Sequence, residues 1–251
     1  MRSVLRTLSG FVLVAILVQT ATAQSDDAAK AQKLIDRAIK AMGGAKAVAK
    51  TNLTILEDSG TYYGMGQGLP YEGRYVFDLK NRRYRMEIQG AFVSVIDKDK
   101  GWTSAMGNVS DVTGDALTNG KEGVLVNYAM SLIPLQKPNK KFKLTLAGED
   151  EVEGEKCDGI NIDHENMPTV TLFFSRKSGL IKKSRFKTKS AEEGFKEVTD
   201  ETVYHKYKEF DGVQNAVKFT IFRDGRKFVE SQPKNVTYPD SIDDKEFKKP
   251  E

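Results

Sequence analysis

The sequence predicts a mainly β protein built on one antiparallel, strongly curved sheet of about ten strands. Three observations carry the prediction. Apolar and polar side chains alternate with a period of two through most of the chain, short turns of the Asp-Gly kind separate the alternating runs, and only two long segments show helical spacing.

The chain opens with Arg2 and Arg6, an apolar run from Phe11 to Val18, and then Ala21-Thr22-Ala23. A basic start, a short apolar stretch and a small-residue cut site are the parts of a signal peptide, expected over residues 1–23 with cleavage after Ala23. The apolar run is shorter than the roughly 20 residues that cross a bilayer, and polar Gln24-Ser25-Asp26-Asp27 follows it directly. Residues 24–251 are expected to form a single domain, because no Pro/Gly/Ser linker interrupts them. Residues 1–23 carry two arginines and no acid, so their loss lowers the formal charge from +4 to +2. That balance provides no general attraction to nucleic acid. The only cysteine, Cys157, allows no internal disulfide and sits in a strand pattern, where a small core residue is expected.

Across residues 26–42 apolar side chains recur at Ala31, Leu34, Ile35, Ala38, Ile39 and Met42, which is one stripe of a helix. Asp26 and Asp27 suit its positive end and Gly43-Gly44 its stop. A shorter helical turn is expected at residues 45–50. After Leu53 the period becomes two. Tyr71, Tyr75, Phe77 and Leu79 share one face, and in the next run Tyr84, Met86 and Ile88 alternate with Arg83, Arg85 and Glu87. Further strands are expected at 92–97, 101–105, 142–151, 156–163, 169–175, 180–188, 196–210, 213–223 and 226–238. Glu153-Gly154, Ser178-Gly179, Asp211-Gly212 and Asp224-Gly225 mark hairpins. Such gaps are far too short for the crossovers of a parallel sheet. One longer segment, from about Lys121 to Pro134, places Leu125, Tyr128 and Leu132 on one helical face, with Gly120 and Gly123 weakening its start.

Polar chemistry is scarce. In Asp163-His164-Glu165 strand geometry sends neighbours to opposite faces, so the three do not converge on a metal, and His205 decorates the wet face of a strand. Gly64-Met65-Gly66-Gln67-Gly68 precedes Pro70 and a strand rather than a helix, which makes it a hairpin tip and not a phosphate cradle. Asp97-Lys98-Asp99-Lys100-Gly101 lacks the final acid of a calcium loop and reads as a turn before Trp102. No nucleophile elbow and no pair of catalytic carboxylates is apparent, so no catalytic residue and no cofactor are expected. What remains is bulk. Two helices offer too little surface to cover so much sheet, and a long twisted sheet curls into a concave face. Either side chains fill that concavity or a ligand does. The candidate lining is Tyr75, Phe77, Tyr84, Met86, Trp102, Leu125, Tyr128, Leu132 and Phe173.

The export signal, the Met42-Gly43-Gly44-Ala45 helix stop, the turn from Asp97 to Gly101-Trp102 and the second helix running into Leu132-Ile133-Pro134-Leu135 form an ordered pattern. It continues through Gly148-Glu149, Val152-Glu153-Gly154, Val170-Thr171-Leu172-Phe173-Phe174, Ser178-Gly179-Leu180, Phe210-Asp211-Gly212 and Phe222-Arg223-Asp224-Gly225. In that order these segments resemble the LolA-like outer-membrane lipoprotein-sorting proteins over nearly all of residues 24–251. The resemblance implies an unclosed barrel of about ten or eleven strands, with the N-terminal and mid-chain helices packed on its concave face. It also implies a monomeric periplasmic carrier that shields lipoprotein acyl chains or another lipid in an apolar cavity. Its partners would be the lipoprotein or lipid, with inner- and outer-membrane sorting components beyond these. At about 0.8 kcal/mol per buried CH₂, a 16-carbon chain represents roughly 12 kcal/mol of exposure to avoid. The same half-barrel serves envelope sensors that bind a protein partner, so carrier and interaction module both stand as expectations.

Overall fold

A computed structural model describes residues 12–250, with side chains from Asp27 onward. The first eleven residues of the expected signal peptide lie outside the described residues. Residues 12–23 are helical in backbone and belong to α1 (Val12–Ala41), which therefore begins well before the stripe at 26–42. Asp26 and Asp27 accordingly lie inside the helix and not at its positive end. Helix α2 (Ala45–Lys50) is the expected short turn.

Thirteen strands follow, two more than the alternating runs indicated. They are β1 (Leu53–Tyr62), β2 (Leu69–Asp78), β3 (Arg83–Ile88), β4 (Phe92–Asp97), β5 (Lys100–Ala105) and β6 (Asn108–Asp111), then β7 (Lys143–Val152), β8 (Glu155–His164) and β9 (Met167–Ser175). The last four are β10 (Ile181–Ser190), β11 (Lys196–Phe210), β12 (Val213–Arg223) and β13 (Arg226–Thr237). All join one antiparallel sheet in the order β6-β5-β4-β3-β2-β1-β13-β12-β11-β10-β9-β8-β7, so the chain meanders outward from β1 and returns beside it through β13. No ladder joins β6 to β7, and the curved sheet is unclosed.

The two unexpected strands have physical reasons for hiding. In β1 the run Thr54-Ile55-Leu56 breaks the alternation, although the strand pairs with β2 without interruption and the irregularity opposite Glu57/Asp58 lies in β13. The strand sits at the centre of the sheet, yet it buries the polar Thr54 and Asp58. Strand β6 is four residues long and exposed throughout, as suits an edge.

Helix α3 (Gly114–Met130) starts earlier than the spacing suggested. Its glycines weaken the helix intrinsically but serve its packing. A Cβ on Gly120 would lie 2.5 Å from Cδ1 of Ile96 on β4, so the missing side chain lets the helix rest on the sheet. The helix ends at Ser131, and Leu132 turns the chain with φ of 62°. Gly43, with φ of 112°, ends α1 for a similar reason, since a Cβ there would lie 2.0 Å from the Gly212 carbonyl oxygen in the β11–β12 turn.

The main core lies between the helices and the β7–β11 half of the sheet. Ala31, Ile35 and Ala38 of α1 pack with Val126, Ala129 and Leu132, and these meet Ile160, Ile162, Val170, Leu172 and Phe174. Alternation sends the intervening Phe173 to the other face, where it clusters with Val152 and Cys157. Cys157 is fully buried, as expected of a core residue, and burial raises its thiol pKa.

The opposite face of the β1–β5 half is covered by the C-terminal tail. Val76, Val95 and Trp102 bury Phe247, and the Trp102 indole donates to the Phe247 carbonyl at 3.0 Å. Arg74 makes a two-pronged contact with Glu246 at 2.9 and 2.7 Å, and Arg83 bridges Asp78 and Asp244 while its guanidinium lies 4.4 Å over the Phe247 ring. Phe247→Ala is expected to cost about 3 kcal/mol of stability by emptying a buried aromatic site. Denaturant melts will measure the loss, and a red shift of Trp102 emission will report release of the tail.

Candidate functional site

Helix α3 reaches from β4 and β5 on one half of the sheet to β9 and β10 on the other. Beside it lies a cleft of about 950 Å³, a size typical of pockets for small-molecule ligands. Leu79, Val124, Leu125, Tyr128, Phe142, Met167 and Pro168 form its apolar lining. The phenol ring of Tyr128 meets Phe142 edge to face at 6.2 Å, and the His164 imidazole packs 4.7 Å from Phe142. The His164 Nδ1 accepts from the Asn166 backbone N–H at 3.1 Å, which leaves Nε2 to carry the proton of the neutral ring. His164 is thus part of the cleft wall rather than a solvated loop residue.

Polar groups around the cleft are mostly cationic. Lys80, Arg82, Lys98, Lys121, Lys141, Lys187 and Lys189 contribute to its walls, against Glu122, Glu165 and Glu197. Three of the cations are engaged: Lys121 with Asp99 at 2.6 Å, Lys187 with Glu197 at 2.6 Å and Lys189 with Asp115 at 3.8 Å.

Of the expected lining residues, Leu125 and Tyr128 line this cleft. Leu132 is fully buried in the main core at the end of α3. Tyr75, Phe77, Tyr84 and Met86 pair directly across β2 and β3 (Tyr75 with Met86, Phe77 with Tyr84), so they share a face. Tyr84 is also paired with Ile96, which contacts α3. These four make a half-buried wall on the helix side, apart from the cleft lining. The rings of Phe77 and Tyr84 stand 5.1 Å apart. Trp102 and Phe173 do not join them. Both point from the opposite face, Trp102 beneath the tail and Phe173 against Cys157, because strand parity and not side-chain bulk decides the face. Leu79, Val124, Phe142 and Met167 were missed as cleft residues. Leu79, Phe142 and Met167 sit at or beside strand ends, where only the coil of the sheet brings them together.

The aromatic wall encloses a buried acid. Asp58 Oδ2 accepts from Tyr71 Oη at 2.8 Å and from Ser231 Oγ at 2.5 Å, while no group bonds Oδ1. Burial pushes the Asp58 carboxyl above the usual range, and the hydrogen bonds from Ser231 and Tyr71 only partly oppose it. The acid in turn helps burial to raise the pKa of Tyr71, Tyr75 and Tyr84.

The architecture has solved counterparts. An outer membrane lipoprotein-sorting protein domain from Vibrio parahaemolyticus superposes with a TM-score of 0.55 at 10% identity, covering 88% of this chain and 97% of that one. A LolA superfamily protein from Nitrosomonas europaea matches with the same TM-score and 10% identity, covering 87% and 97%. The fold is LolA-like. A DUF1329 family protein from Desulfovibrio piger shares it, with a TM-score of 0.57 at 12% identity and coverage of 87% and 97%. No protein-family model matches the chain, and no curated protein does. Within this LolA-like frame, no helix among the described residues is long and apolar enough to cross a membrane.

The raised pKa of Asp58 has a defined sign. The unfolded chain ionises this acid near the ordinary value of about 3.9, whereas the folded protein holds its proton to higher pH. The stabilisation is therefore complete below the unfolded pKa and is lost as pH rises through the folded one. Thermal melts of wild type and Asp58→Asn should show the wild type losing ground to the variant from about pH 4 upward. A difference that stays constant with pH would exclude this titration.

Proposed function

We propose that this protein is an exported carrier that holds an acyl chain of a lipoprotein or other lipid in the cleft beside α3, for transit across the periplasm. The observation that carries this reading is the cleft itself, a volume of about 950 Å³ with Leu79, Leu125, Tyr128, Phe142 and Met167 on its walls. Burying an acyl chain there gains about 0.8 kcal/mol per CH₂ withdrawn from water. The reading supposes cleavage after Ala23 and a single domain over residues 24–251. It also supposes that the half-buried wall of Tyr75, Phe77, Tyr84 and Met86 continues the greasy surface for longer chains.

A second reading, an envelope module that binds a protein partner, draws on the unpaired outer edge of β7, a ten-residue strand that exposes Leu146. Added strands pair with such edges. The gap in alignment at Leu146/Gly148 and the charges of Glu149, Asp150 and Glu151 blunt it, which favours the carrier.

Native mass spectrometry of gently purified protein is expected to reveal bound lipid. Titration with a fluorescent fatty-acyl probe should show saturable binding that Leu125→Ser weakens by roughly tenfold, the scale set by about 1.4 kcal/mol of lost apolar contact. A protein indifferent to acyl chains, with Leu125→Ser equal to wild type, refutes the carrier.

A further inference from the structure

The cations of the cleft are unevenly engaged. Lys121, Lys187 and Lys189 are tied to acids, but Lys80, Arg82, Lys98 and Lys141 close no ion pair among the described residues; Glu122 and Glu165 are likewise unpaired, so four free cations against two free acids leave the cleft positive. All four residues are exposed, while their cleft has apolar groups in its lining. Two are placed by backbone geometry. Arg82 and Lys98 occupy left-handed turn positions with φ of 56° and 57°, and the Lys98 N–H donates to the Arg82 carbonyl at 3.0 Å. That bond locks the β2–β3 and β4–β5 turns side by side and puts both cations on one rim. Lys141 reaches the same cleft from the other half of the sheet, next to Phe142. The chain as a whole is almost balanced, with 39 basic and 35 acidic residues, so a rim of this sign is a local feature.

An apolar floor under a cationic rim is complementary to an amphiphile with an anionic head. Lysine and arginine side chains without an ion-pair partner gain most from phosphate, whose oxygens accept several charge-assisted hydrogen bonds at once. A neutral diacyl or monoacyl lipid leaves all four cations without a partner.

We propose that the cleft selects an acyl lipid with a phosphate headgroup, the chain lying on the Leu125–Tyr128–Phe142 floor and the phosphate held by Lys80, Arg82, Lys98 and Lys141. This rests on the carrier reading and adds the class of ligand to it. The phosphate could equally be a free anion, and the test separates the two sources.

Calorimetric titrations of the whole chain should compare lysophosphatidic acid, a monoacylglycerol of the same acyl length, and inorganic phosphate. The expected result is that the phosphate lipid binds at least tenfold more tightly than the monoacylglycerol, that the preference shrinks as salt is raised, and that inorganic phosphate does not compete at matching concentration. The quadruple variant Lys80→Gln, Arg82→Gln, Lys98→Gln, Lys141→Gln changes only exposed side chains. It should bind the two lipids equally. Equal affinities in wild type, a preference that survives in the variant, or competition by inorganic phosphate as strong as that of the lipid each overturns the proposal while leaving the carrier standing. Failure of both lipids to bind removes the carrier reading and this proposal together.

Discussion

Everything at the cleft depends on how closely α3 can lie against the sheet. Gly120 resting on Ile96 brings the helix onto β4 at one end, and Val126, Ala129 and Leu132 anchor it over β8 and β9 at the other. A helix held at both ends spans the concavity without filling it. The space left beside it takes its lining from strand ends that are remote in sequence, with Leu79 before β3 and Phe142 and Met167 around β7–β9.

Much of this was legible in the residues. Hairpin signals such as Asp211-Gly212 and Asp224-Gly225 stand at real turns, with Asp211 and Asp224 in the left-handed region that these turns require. The stripe from Ala31 to Met42 faces the core. Strand alternation also grouped Tyr75, Phe77, Tyr84 and Met86 correctly on one face. It could not say which face looks inward, because this sheet buries apolar groups on both sides, under the helices and under the tail. Trp102 and Phe173 were assigned by size and fell on the wrong side. Strand β1 escaped notice because a central strand that carries Asp58 toward the interior does not look like one. No local pattern announces that Lys80, Arg82 and Lys141 share a rim, since the coil of thirteen strands alone brings them together.

The two faces of the β1–β5 half answer different physical demands. On the outer face the charges are paired: Arg74 and Arg83 hold Glu246 and Asp244 of the tail, so that cations near Trp102 and Phe247 have fixed anionic partners. On the inner face Asp58 has hydroxyl donors and no cation, and burial rather than pairing governs its protonation. Burial thus works against charge on this acid among the tyrosines, whereas pairing fixes the charges on the outer face.

The open seam between β6 and β7 bears on capacity. In a closed barrel, widening the lumen means breaking a ladder or sliding its register, and either change sacrifices backbone hydrogen bonds. Here the two edge strands, β6 and β7, share none. An open sheet can change its curl by small changes of twist spread over twelve interstrand joints, and α3, which touches both halves, sets how far the two can part.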